Sequence, residues 1–139
     1  MTTVLRRKWQ ITSIWLVGLL LAGLPTAALS QSAAFTVARL VACEDVQDHN
    51  PVNVRSVFPE GTDRVFCFLE ARDALQATEV TMVWFHEGQE VAKVPLRIGQ
   101  GPRWRTYSTK GTTAMKGNWK VYLVDNDDNT LASVQFVLE

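Results

Sequence analysis

Beyond residue 31, apolar residues never hold the 3.6-residue spacing of a helix for long. They alternate with polar ones in short stretches divided by turn residues, as half-buried antiparallel strands require. Seven strands follow from this pattern. Phe35, Val37, Val41 and Cys43 mark the first, and Val65, Cys67 and Leu69 the second, within Arg64 to Ala71. The third, residues 77–86, sets Val80, Met82 and Trp84 on one face and Val83 and Phe85 on the other. A turn at His86-Glu87-Gly88-Gln89 leads to the fourth, residues 90–98, where Ala92, Val94, Leu96 and Ile98 share a side. Pro95 has no amide hydrogen, so this strand demands a sheet edge or a bulge. Gly99-Gln100-Gly101-Pro102 breaks the chain before the fifth strand, residues 103–109. Trp119, Val121 and Leu123 alternate through the sixth, residues 118–125, and Ala132, Val134, Phe136 and Leu138 through the seventh, residues 130–138.

The predicted fold is therefore all-β: an immunoglobulin-like antiparallel β-sandwich of about seven strands, with a small β-barrel as the alternative. Asp45 to Asp63 is too long for a tight turn and is expected to cross between sheets. Residues 31–139 form one domain, without repeats or low-complexity segments.

Residues 1–30 follow a different pattern. Arg6, Arg7 and Lys8 precede an apolar stretch, Ile14 to Leu24, which Pro25 interrupts, and Ala28 and Ser30 supply a small-x-small cleavage signal before Gln31. This predicts an N-terminal signal helix, hence an exported protein of the periplasm. An uncleaved leader anchoring the domain to the inner membrane, and an extracellular location, are the alternatives. The strongly apolar stretch has 11 residues, whereas a helix needs about 20 to span a bilayer core. Export places Cys43 and Cys67 in an oxidising compartment, and both fall in register with their strands' apolar rows. A disulfide between them is the expectation, closing a loop of about 25 residues and contributing about 3–3.5 kcal/mol.

Four strings carry a family resemblance: Val80-Thr81-Met82-Val83-Trp84-Phe85-His86-Glu87-Gly88, Val91-Ala92-Lys93-Val94-Pro95-Leu96, Arg103-Trp104-Arg105-Thr106-Tyr107-Ser108-Thr109-Lys110 and Gly117-Asn118-Trp119-Lys120-Val121. In this order they resemble the bacterial domain of unknown function 2914 family (DUF2914) over roughly residues 64–138, and the upstream part is similar to exported members with two cysteines. Met82 stands where a histidine is common in that family. The resemblance implies a domain boundary and supports the disulfide; it implies no activity.

Charge adds one candidate surface. The sequence holds 14 basic and 14 acidic residues, but the segment from Val91 to Val124 holds seven basic residues and no acidic one. If the fourth and fifth strands pair, Lys93 and Arg97 join Arg103, Arg105 and Tyr107 on one face, with Lys110 nearby. The functional reading is a non-catalytic binding or assembly module of the cell envelope, its basic strand surface meeting an anionic protein or envelope component. The competing reading is a solvated basic face balanced by acidic neighbours. Without residues 1–30 the chain is net acidic, which argues against nucleic acid, and the membrane enters only through an uncleaved leader.

Two further functions compete: a structural accessory domain tethered by the uncleaved leader, and an enzyme in which His49, His86 and nearby carboxylates converge. No cofactor is expected, and no residues have metal-ligand spacing. Asp125-x-Asp127-x-Asn129 opens like a calcium loop, but Thr130 and Phe136 occupy the positions that need glycine and glutamate, so it reads as a hairpin turn. Of the aromatic residues, Tyr107 and Tyr122 are the best placed for stacking against a sugar, each lying opposite its strand's tryptophan.

Overall fold

The computed structural model describes residues 34–139. The predicted leader and its cleavage signal at Ala28 and Ser30 lie outside the described residues. The nine strands are β1 (Thr36–Gln47), β2 (Asn50–Val54), β3 (Val57–Phe58), β4 (Arg64–Ala74), β5 (Thr78–His86), β6 (Gln89–Ile98), β7 (Gly101–Gly111), β8 (Gly117–Val124) and β9 (Thr130–Leu138). All seven predicted strands are present. The two additional ones, β2 and β3, form within the segment expected to cross between sheets, and it does cross.

The strands make a four-stranded sheet, β2-β1-β4-β7, and a five-stranded sheet, β3-β9-β8-β5-β6, packed as a sandwich. Every pairing is antiparallel except β3 with β9, which is parallel. Pro95 lies in β6, at an edge, where its missing donor costs no ladder bond to a second neighbour. Pro51 lies in β2, at the opposite sheet's edge, for the same reason. The β1–β2 and β5–β6 hairpins turn through two residues with positive φ, Asp48 and His49 (48° and 58°) and Glu87 and Gly88 (48° and 78°), the twist that matches a right-handed strand pair.

The core fills the space between the sheets. Val65, Cys67, Leu69 and Ala71 of β4 face Val80, Met82 and Trp84 of β5 and Trp119, Val121 and Leu123 of β8 across it. Trp119 stacks on Phe136 with centroids 5.8 Å apart, and Trp84 meets both rings edge-on. Aromatic pairs of this kind add roughly 0.5–1.5 kcal/mol each beyond area burial.

The structure overturns the expected disulfide. Cys43 and Cys67 are both fully buried, but both are free thiols. The cause lies five residues upstream of Cys43. The β1–β4 register shifts between Val37, opposite Ala71, and Arg39, opposite Glu70, leaving Ala38 as an extra residue. A one-residue bulge reverses which face every later side chain takes. Leu40 and Ala42 therefore turn inward, while Cys43 turns outward opposite Phe66 and Cys67 stays inward opposite Ala42. The two sulfurs lie on opposite faces of one sheet, an arrangement that disulfide geometry does not bridge. Burial pushes both thiols above their ordinary pKa, Cys67 the more strongly.

Candidate functional site

The predicted basic surface is only partly assembled. Arg103, Arg105 and Tyr107 of β7 oppose Arg72, Glu70 and Phe68 of β4, so all three share the outer face of the four-stranded sheet. Lys110 opposes Val65, a core residue, and so takes the other parity; its Nζ donates to the Gly111 carbonyl at 3.1 Å. Lys93 and Arg97 are not neighbours of this stripe. The condition for joining them was pairing of the fourth and fifth predicted strands, and β6 instead pairs with β5 in the other sheet while β7 pairs with β4. Consecutive strands here change sheets, because Gly99 to Gly101 form a corner: a Cβ on Gly99 would lie 2.3 Å from the Trp104 ring.

One acidic neighbour, Glu70, pairs with part of the stripe. Glu70, on the same outer face, accepts from Arg103 Nη2 at 2.8 Å and from Arg72 Nη2 at 2.7 Å. The Arg103 hydrogen bond is the main reason the Glu70 carboxyl is held below the usual range, against the opposing effect of burial. Arg105 reaches Asn50 Oδ1 at 3.3 Å, Lys93 pairs with Glu90 at 3.6 Å, and Lys116 with Glu60 at 3.3 Å.

The histidines do not converge. His49 sits in the β1–β2 turn, beside a small depression of about 260 Å³ shared with Arg103, Trp104 and Arg105. His86 ends β5 in the other sheet; its ring lies 4.6 Å from that of Trp119, and its Nε2 is 2.7 Å from the Lys116 carbonyl. Asp125 closes the β8–β9 hairpin: its Oδ1 accepts from the backbone amides of Asp127 and Asn129, both at 2.9 Å. These bonds, with Asn129 first, hold its carboxyl below the usual range. Among the described residues no cluster of ligands fit for a metal occurs.

One large groove was not anticipated. On the outer face of the five-stranded sheet a groove of about 950 Å³ runs past Val57 of β3, Val137 of β9, Tyr122 and Val124 of β8, and Val83 and Phe85 of β5. Its size falls near the upper end of roughly 300–1,000 Å³ for small-molecule sites. An outer face of an antiparallel sheet is ordinarily polar, yet here Val83 is only 8% exposed although it points away from the core. Phe85 packs edge-on against Tyr122, centroids 5.4 Å apart, and Lys120 Nζ stands 4.6 Å from the Tyr122 ring centroid. Lys120 is the one cationic side chain in the lining, no carboxylate lines the groove, and among the described residues none pairs with this lysine. A signal for the groove is present in the sequence: Met82-Val83-Trp84-Phe85 is apolar at both parities, as a strand buried on two faces would be.

Comparison with known proteins adds one match. Residues 77–138 match the family of proteins of unknown function DUF2914. The match begins at residue 77 rather than near 64, so it covers β5 to β9 and leaves out β1 to β4. No curated protein matches the chain. Over the segment that builds most of the five-stranded sheet and nearly all of its outer groove, this chain resembles the DUF2914 proteins, a family of unknown function.

Proposed function

We propose that the domain is a non-catalytic binding module of the cell envelope, and that its ligand seat is the groove on the outer face of the five-stranded sheet. The observation that carries this reading is the apolar lining of that groove on a face turned away from the core. Burying such a face against a ligand recovers hydrophobic free energy that solvent exposure forgoes. The placement of His49 in the β1–β2 turn and of His86 at the end of β5, in the other sheet, supports the binding reading over acid–base chemistry, which needs its groups within hydrogen-bond reach. Placement in the envelope rests on the leader pattern from Arg6 to Ser30.

A second surface is favoured by a separate observation: Arg103, Arg105 and Tyr107 share one face of β7, at the edge of its sheet. The two surfaces are told apart by capture from periplasmic extracts with cross-linking. Gln135→Trp places an indole in the groove from an exposed position, and Arg103→Glu with Arg105→Glu reverses the stripe. Loss of capture only in Gln135→Trp is the expected result; loss only in the double reversal moves the site to β7.

A further inference from the structure

We infer that the groove recognises an amphiphilic monoanion, an apolar chain ending in one carboxylate, with Lys120 as its anchor. The inference rests on the groove being the ligand seat.

Three features select this chemistry. Lys120 lies mid-groove, opposite Phe85 on β5 and Gln135 on β9, so apolar wall stands beside it and an amide is its cross-strand partner. The lining offers a single cation and no carboxylate, so a ligand with one negative charge meets a complementary group and no repulsive one. A carboxylate there accepts from the lysine ammonium and from the Gln135 amide, while its chain covers Val83, Val137 and Phe85. Charge-assisted hydrogen bonds strengthen when the surroundings are apolar.

The same geometry argues against the neighbouring choices. A sugar would stack on an open aromatic face, but the Tyr122 ring carries the Lys120 ammonium 4.6 Å from its centroid and Phe85 against it edge-on. A membrane surface is met by clusters of about four to eight basic residues. Here the outward positions of the described strands of this sheet hold three basic residues, Lys93, Arg97 and Lys120, fewer than such a cluster, and Lys93 is paired with Glu90. A free single-chain carboxylate is therefore the committed occupant.

The test measures binding isotherms of decanoate and of its uncharged counterpart 1-decanol to the full chain and its variants, all carrying the same residues 1–33 so that any contribution of that segment cancels. Wild type should bind decanoate more tightly than 1-decanol. Lys120→Met, which keeps the apolar stem, should weaken decanoate about tenfold, as expected for one charge-assisted contact, and leave 1-decanol unchanged. Lys120→Arg should restore the preference, and Gln135→Trp should weaken both ligands. Equal affinities that Lys120→Met does not alter would overturn the anion assignment while leaving the groove as a site. Absence of binding, or binding indifferent to Gln135→Trp, would overturn the groove and the assignment together. Binding to phosphatidylglycerol vesicles but not to free decanoate would replace the single chain by a membrane surface.

Discussion

Ser108 is one of the few buried polar side chains, and it ties the two sheets together. The Trp84 indole N–H of β5 donates to Ser108 Oγ on β7 at 3.0 Å, and the hydroxyl donates onward to Met82 Sδ, also at 3.0 Å. Ser108→Ala leaves the Trp84 donor without a partner in the core. It should lower unfolding free energy by about 1–3 kcal/mol, read from the urea midpoint at constant slope. A loss below a few tenths of a kcal/mol would mean that the indole finds another acceptor. At this scale the sequence was legible for inward residues such as Trp84, Trp119 and Phe136, whose alternation is unbroken. It misled at Cys43, because nothing in Val37-Ala38-Arg39 marks Ala38 as the surplus residue: its partner strand, not its own chemistry, creates the bulge.

At the scale of elements, Glu70 links β4 to the edge strand β7 through Arg103 while holding Arg72 on its own strand. Its folded carboxyl titrates below the ordinary value of 4.5, so the fold favours the charged form. The resulting stability is complete above that value and is lost as pH falls through the lowered one. Glu70→Gln should therefore be less stable than wild type by a constant margin between about pH 6 and 8, and the margin should shrink below about pH 4. Thermal unfolding across that range checks this, and a margin undiminished at about pH 3 would refute it. The strands themselves were legible because β4 to β9 carry turn residues at their ends. β2 was not, since its hairpin turns on Asp48-His49 with both φ positive and no glycine to announce it. β3 has two residues, too short for any periodicity. β6 pairs with β5 through the Glu87-Gly88 hairpin, and the chain then passes Gly99, against the Trp104 ring, to carry β7 into the other sheet, a corner that alternation does not encode.

For the whole molecule, the leader and the thiols meet in one measurement. Cys43 and Cys67 are buried on opposite faces, so neither an oxidising nor a reducing compartment changes their state: burial keeps the thiols inert and geometry keeps them apart. On the proposal that the leader directs export, protein recovered from the periplasm should have the intact mass of a chain beginning at Gln31, with no change on reduction and no alkylation until denaturant is added. A retained leader would favour the tethered alternative, and a two-dalton gain on reduction would restore the pairing that the bulge opposes. The groove was the least legible feature, because outward valines and aromatics on separate strands become a surface only after β3, β9, β8 and β5 are aligned.

That alignment has a temporal side. The parallel pair joins Val57 to Val137, 137 − 57 = 80 positions apart, while hairpins such as β5–β6 join near neighbours. Contacts of such long span form late, after the loop entropy of the intervening chain has been overcome. Val57 is a wall of the groove, so a ligand that needs this wall selects molecules that have finished folding, and its capture doubles as a report of completed assembly.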